Sequence, residues 1–300
     1  MRALVTGASG LIGKRLARRL VADGLEVVAV GRDVAPLRAQ LPGARALAWD
    51  GVRLPAGALD EVDWIFHLAG EPVADGRWTE ERKARIRDSR VLSTRSLAAA
   101  LAASARPSRV LVCASAVGIY GDRGDEPLSE ESRHGDDFLA GVCDAWEAEA
   151  RGVEAIGARV ASVRIGIVLA RDGGALARML PVFRAGVGGR LGSGRQWMPW
   201  IHVDDVVGIF LHAARVAEVR GAINAVSPAP VTNAELTRAL GKAVHRPALV
   251  PAPAFAMRLA LGEMSEVVLA SQRAMPEVAT RTGYVFRFPR LEAALSDVVG

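Results

Sequence analysis

The chain has 300 residues, 50% of them hydrophobic and 24% charged, with only two cysteines, which excludes disordered, collagen-like and disulfide-scaffold classes. Its formal charge of +5 rests on Arg, because Lys occurs only at Lys14, Lys83 and Lys242, and the Arg residues are interleaved with Asp and Glu. A nucleic-acid footprint clusters on one face or stripe, so no nucleic-acid partner is expected; nor is a membrane span, since no apolar run nears the roughly eighteen residues one requires.

Short β-rich runs alternate with helical stretches through the first half, the pattern of an α/β fold with a doubly wound parallel sheet. Residues 3–6 predict a strand, and 10–23 a helix that stops near Gly24. Further strands are expected at 27–30, 46–49 and 64–68. The Arg-, Glu-, Leu- and Ala-rich stretch 78–104 reads as one long helix. A fifth strand at 110–114, a helix at 137–151 and a sixth strand at 162–169 follow. Beyond Leu169 the rhythm changes, with a loop at 171–174 and glycine turns at 186–189 and 192–194. A short strand at 200–203, a helix at 204–216 and a strand at 224–226 lead to a boundary at 228–230. Helical patterns recur at 233–243 and 255–272. The expected organisation is a first domain over 1–170, completed by about 196–227, with 171–195 and 228–300 forming a smaller C-terminal substrate lobe.

Cys113 lies in an apolar run and Cys143 in a helical stretch, so both read as reduced, buried thiols. Met1 to Val5 run directly into a glycine loop, leaving no room for a signal peptide. A cytoplasmic location is therefore expected. Five scattered His and two separated Cys offer no metal-ligand spacing.

The strongest local signal is Thr6-Gly7-Ala8-Ser9-Gly10-Leu11-Ile12-Gly13, which leaves a strand and opens a helix. Gly7 permits a tight turn, Gly10 lets backbone approach a pyrophosphate, and Gly13 lets helix pack close to sheet. Helix amides would then face the phosphates. The second strand ends Val30-Gly31-Arg32-Asp33, with Gly where an NAD site usually carries an acid. The Arg32 guanidinium can pair with a 2′-phosphate, which favours NADP(H). Asp33 competes for the ribose role, or caps the following turn. Leu68, Ala69 and Gly70 would lie under the nucleotide, Asp50 would face the adenine or solvent, and Arg90 would reach a phosphate or face solvent.

Taken together, these blocks resemble the extended branch of the short-chain dehydrogenase/reductase superfamily, best known for epimerising or dehydrating nucleotide sugars. Phe66 to Gly70, Ser115 to Gly121, Trp200 to Val206 and Asn224 to Ser227 recur in the order of that branch. A closer likeness is to its uncharacterised-epimerase subgroup, whose bacterial members are sometimes labelled cell-division inhibitors. Its marks are Leu68-Ala69-Gly70-Glu71-Pro72, Arg77-Trp78, Ser89-Arg90 and Gly192 to Gln196. The resemblance implies an NAD(P)-binding Rossmann fold in which Gly7, Gly10, Leu11, Ile12, Gly13, Arg32, Leu68, Ala69 and Arg90 contact NADP(H). It leaves the assembly open between a monomer and a helix-mediated homodimer.

The superfamily's chemistry uses a Tyr, a Lys four residues later and an upstream Ser or Thr. Here four residues beyond Tyr120 and Tyr284 lie Gly124 and Phe288, so the pair is missing. Aligned on Glu147, Leu139 and Cys143 take its two positions, while Ser115 holds the upstream place. Tyr120 is either a proton donor, with Ser115 orienting the substrate's oxygen, or a loop residue packed against the neighbouring lobe. Glu71 is a further candidate acid or base, and Cys143 a nucleophile if its pKa is depressed. His202 reads as part of a join between lobes, with Asp204 or Asp205 capping the next helix. Arg195, Gln196, Trp197 and Trp200 are expected along the crevice. The function this implies is an epimerase-like oxidoreductase acting on an unknown small molecule; the alternative is a catalytically silent NADP(H) sensor.

Overall fold

The computed structural model describes residues 1–104 and 109–300. Strand β1 (Arg2–Thr6) leads to α1 (Leu11–Ala22), β2 (Glu26–Gly31), α2 (Val34–Gln40), β3 (Ala44–Ala48) and β4 (Trp64–His67). Helix α3 (Glu80–Ala102) crosses to β5 (Val110–Ala116), followed by β6 (Pro127–Leu128), α4 (Phe138–Arg151) and β7 (Arg159–Ile165). The chain continues through β8 (Ile167–Ala170), α5 (Gly174–Arg184), β9 (Trp197–Met198), β10 (Trp200–His202), α6 (Val203–Arg215) and β11 (Gly221–Ala225).

Seven strands form one sheet in the order β3-β2-β1-β4-β5-β7-β11, every pair parallel. Such strands are covered on both faces and so read as continuous apolar runs; Ala3, Leu4 and Val5 of β1 are fully buried. Helices α3 and α4 pack together over the sheet, and α1 packs with α6. Strand order reverses between β1 and β4, the place where open α/β sheets leave a crevice. Helix α3 starts where Thr79 accepts a hydrogen bond from the Arg82 amide at 3.2 Å, with Glu80 and Glu81 favouring the positive helix end. No helix among the described residues is long and apolar enough to cross a membrane.

The expected single strand 162–169 is two strands. A Cβ at Gly166 would stand 2.0 Å from the Pro199 carbonyl, so this glycine admits a close crossing. The chain there leaves the main sheet and β8 pairs with β10. The expected helix 255–272 also breaks, at Gly262 with φ +61°, into the helices Ala254–Leu261 and Glu266–Leu269 joined by a 3-10 turn. Four α-helices among the described residues lay outside the sequence expectation: α2, α5, Glu277–Arg281 and the C-terminal Leu291–Val299.

A second apolar core joins Leu176, Leu180 and Phe183 of α5 to Trp200, Leu236, Leu240, Leu291 and Leu295. Residues of 278–286 return instead to the first core. They are pinned by Asp205, whose buried carboxylate accepts from Tyr284 Oη at 3.0 Å and the Arg287 and Phe288 amides at 2.7 and 2.9 Å. Asp205 is therefore no helix cap. His202 takes that role, its Nδ1 accepting from the Asp204 amide at 3.1 Å, while its ring packs 3.9 Å from that of Phe288.

The crevice walls are tied together by a buried polar chain. Thr6 Oγ1 accepts from the Leu68 and Ala69 amides at 3.1 and 3.3 Å and lies 2.7 Å from His67 Nδ1. With its lone pairs taken, the Thr6 hydroxyl donates to Nδ1. His67 Nε2 then donates to Thr94 Oγ1 at 2.9 Å, and Thr94 donates to the Arg90 carbonyl at 2.7 Å. Only a neutral imidazole protonated on Nε2 closes this chain. Burial enforces it by pushing the His67 pKa down to about 3.

An unfolded His67 takes up a proton near pH 6.5, whereas the folded one does so near 3. The unfolded chain thus binds the extra proton, and stability falls as pH drops through that window, by about 1.4 kcal/mol per unit from this residue. His67→Gln is expected to flatten the fall in urea-unfolding free energy between pH 6.5 and 5. An equally steep fall in that variant would show that the buried imidazole is not its source.

Candidate functional site

At the carboxyl ends of the parallel strands two cavities of about 500 and 470 Å³ meet. Both are lined by Gly7, Gly10, Leu68, Gly70 and Pro72, so they form one continuous crevice. One end holds Ser9, Arg32, Trp49, Asp50, Ala69 and Glu71; the other holds Leu11, Ile12, Gly13, Arg90, Ser115, Leu139 and Cys143.

The glycine loop has the geometry its spacing predicts. Gly7 has φ +64°, and a Cβ there would stand 2.6 Å from the Leu68 carbonyl. A Cβ on Gly13 would stand 2.3 Å from the Gly7 carbonyl, so α1 can approach the turn only with glycine here. Gly10 is the N-cap of α1 and has no capping side chain, and the first turn carries no acid. The amides at this helix end therefore face the crevice with the positive end of the helix dipole.

Among the described residues, two cations along the crevice form no ion pair. Arg32 is exposed and makes no hydrogen bond or ion pair among the described residues. Arg90 is half-buried; its Nη1 donates to the Ile86 carbonyl at 2.9 Å and its guanidinium lies 5.3 Å over the Trp146 ring. It forms no ion pair among the described residues, the Glu71 carboxylate acting on it only at longer range, and burial lowers its pKa. Trp49 adds a buried indole N–H without a partner in the wall of the Arg32 end. A dinucleotide with two phosphates and a 2′-phosphate suits this set of donors. Asp33 is the N-cap of α2, accepting from the Ala35 amide at 2.9 Å. Asp50 is exposed and holds the Val52 amide at 2.8 Å.

At the other end Ser115 is set by a buried ion pair. Its Oγ donates to Glu147 Oε1 at 2.6 Å. The same carboxylate takes a two-pronged bond from Arg164, Nε to Oε1 and Nη2 to Oε2, both 2.9 Å, and both side chains are about 3% exposed. Leu139 and Cys143 line the cavity beside Ser115, so the positions aligned with Tyr and Lys do face the site. Burial raises the Cys143 thiol to about 12, which removes it as a nucleophile.

Other expectations need correction. Tyr120 is fully buried outside the crevice lining, donating to Asn224 Oδ1 at 2.7 Å and accepting from Arg164 Nη1 at 3.0 Å. Burial raises its pKa to about 12, so it braces Arg164 and is not the proton donor. Glu71 lies at the Arg32 end, paired with Arg82 and Arg85, away from Ser115. Trp197 lines the Ser115 end, but Gln196 and Trp200 are buried and hold the Leu191 and Ala229 carbonyls, and Arg195 lies outside the crevice lining. Sequence reasoning missed Trp78, Asp137, Glu266 and Gln272 in the lining. It also missed the Glu147–Arg164 pair, whose signal was a lone Arg inside the apolar run of β7. No group of three side chains among the described residues could hold a metal ion.

Residues 3–225 match the NAD dependent epimerase/dehydratase family, and residues 252–298 match a domain of unknown function, DUF1731. The epimerase family protein SDR39U1 of Mus musculus is 38% identical over all of this chain and all of its own. A crystal structure of human SDR39U1 (isoform 2) with NADPH is 35% identical, with TM-score 0.88, covering 100% of this chain and 99% of that one. A Corynebacterium glutamicum structure described as a nucleoside-diphosphate sugar epimerase is 36% identical, with TM-score 0.80; the match spans all of this chain and 58% of that one. The glycine cradle, the parallel sheet and these matches place the chain in the NAD dependent epimerase/dehydratase family.

Proposed function

We propose that the protein is an NADP(H)-dependent oxidoreductase of epimerase-like type in which Ser115, backed by Glu147, handles the substrate's oxygen. One observation carries the reading: the crevice runs unbroken from unpaired Arg32, past unpaired Arg90, to Ser115. The related human protein crystallised with NADPH supports the choice of cofactor. Arg32 would hold the 2′-phosphate, while Arg90 and the amides of Leu11, Ile12 and Gly13 would hold the pyrophosphate. Leu68, Ala69 and Gly70 form the floor, with Ser9 and Asp50 toward the adenosine. When bound, the cofactor supplies or accepts the hydride.

The chain's own residues move the proton. Because Ser115 gives its proton to Glu147, its lone pairs are open to accept one from a substrate hydroxyl. As the alcohol carbon loses hydride, the hydroxyl proton passes to Ser115 Oγ, and the Ser115 proton passes to Glu147. In the reverse direction Glu147 returns a proton through Ser115 to the carbonyl oxygen. Leu139 and Cys143 stand where the superfamily carries its tuned acid and base, so turnover is expected to be slow, by about the 10²–10⁴-fold that such a group contributes.

A second reading, a binding protein without turnover, rests on Leu139 and Cys143. Neither side chain exchanges a proton near neutral pH.

Titration calorimetry separates the cofactor contacts. Arg32→Ala is expected to weaken NADPH about 10–100-fold while changing NADH less than about 3-fold, as loss of a charge-assisted pair requires. Arg90→Met should weaken both nucleotides alike, and equal losses in Arg32→Ala would refute the 2′-phosphate assignment. Single-turnover absorbance of NADPH-loaded protein with fractionated metabolites tests the chemistry. Oxidation in one fraction, abolished by Ser115→Ala with NADPH affinity intact, is expected; tight NADPH binding with no oxidation in any fraction would select the second reading.

A further inference from the structure

Resting on the cofactor assignment above, the geometry points to an uncharged, largely apolar substrate, aromatic or alicyclic with one carbonyl or hydroxyl, and against a nucleoside diphosphate sugar. The Ser115 end is walled by Val73, Trp78, Leu139, Trp197, Met198 and Val267. Trp78 is only 8% exposed and is fixed edge-on to Phe138 at 5.2 Å, so this wall is rigid. Among the described residues Arg90 is the one cation in this lining, and it stands against Gly70 and Trp146, on the phosphate side of the crevice.

The other charges facing this end are negative. Asp137 and Glu266 both line it; Asp137 caps α4, whereas Glu266 is exposed and has no ion-pair partner among the described residues. Of the nearby guanidinium groups, Arg77 holds the Leu259 and Ala260 carbonyls, Arg82 holds Glu71 and Arg178 holds Asp75; Arg273 lies outside the lining, stacked 4.7 Å over the Trp197 ring, with its buried Nε unpartnered among the described residues. Of the other side-chain donors in this lining, Trp78 Nε1 is spent on Val73 O, Trp197 Nε1 on Asp125 and Gln272 Nε2 on Gly121 O, while Trp146 Nε1, on the ring under Arg90, is buried without a partner among the described residues. A substrate diphosphate would lose water beside two carboxylates and gain no cation from the described lining once Arg90 serves the cofactor. A flat neutral molecule would instead bury its surface between Trp78 and Trp197 and offer its oxygen to Ser115.

The test is calorimetric binding of acetophenone, 2-acetylnaphthalene and UDP-glucose, each titrated into the protein with and without saturating NADPH. Saturable binding of an aromatic ketone, tighter for the larger ring system, is expected, with no saturable heat from UDP-glucose up to millimolar concentration. Trp78→Ala should weaken the ketones at least tenfold and Trp78→Phe about threefold, with NADPH affinity reporting that both variants are folded. Saturable, salt-sensitive UDP-glucose binding would overturn the inference, as would failure of both ketones or indifference of their binding to Trp78→Ala. If NADPH itself failed to bind, the proposed function would fall, while the comparison without nucleotide would still decide the substrate class.

Discussion

Everything in the crevice depends on one neutral imidazole. His67 ends β4 beneath the glycine turn and links Thr6, on β1, to Thr94, on α3. Through Thr6 it fixes the amides of Leu68 and Ala69; through Thr94 it fixes the backbone carbonyl of Arg90. Both walls of the crevice are thereby set against one side chain that burial holds uncharged. A protonated ring could not accept from Thr6, and the Leu68 carbonyl would lose its position only 2.6 Å from where a Gly7 Cβ would sit. The tight fit of the glycine loop and the placement of the Arg90 cation are two consequences of the same constraint.

The second fixed element is the Glu147–Arg164 pair, buried where the sheet meets α4. Such a pair is costly to desolvate and returns that cost only when its remaining hydrogen-bonding sites are filled. Here Ser115 fills one and Tyr120 another, so the residue proposed to handle the substrate's oxygen and the Tyr that follows it by five residues are parts of one polar cluster. The cluster explains why Tyr120 is sequestered although it follows Ser115 by only five residues.

The glycine-loop half of the crevice was legible in the sequence because its constraints are local. Gly7, Gly10 and Gly13 act through backbone geometry within one turn, and Arg32 and Asp33 follow the end of one strand. The substrate half was not legible, because Trp78, Leu139, Trp197 and Glu266 meet only through tertiary packing of four distant segments. Tyr120 misled because sequence proximity to Ser115 says nothing of which side of the backbone a 3-10 turn puts its ring. The strand 162–169 misled for a related reason: an unbroken apolar run does not reveal that Gly166 lets the chain cross Pro199 and change sheets. Asp205 resembled a helix cap by position, but its partners lie some eighty residues away in sequence.

The central claim is that both walls, joined through His67, form a single dinucleotide cradle. Amide hydrogen exchange on the unmodified protein, with and without NADPH, tests it most directly. The account predicts that amides of residues 7–13 and 68–71 and the turn of α3 around Arg90 slow together on nucleotide addition. Protection confined to one wall, or appearing only outside the crevice, would contradict it.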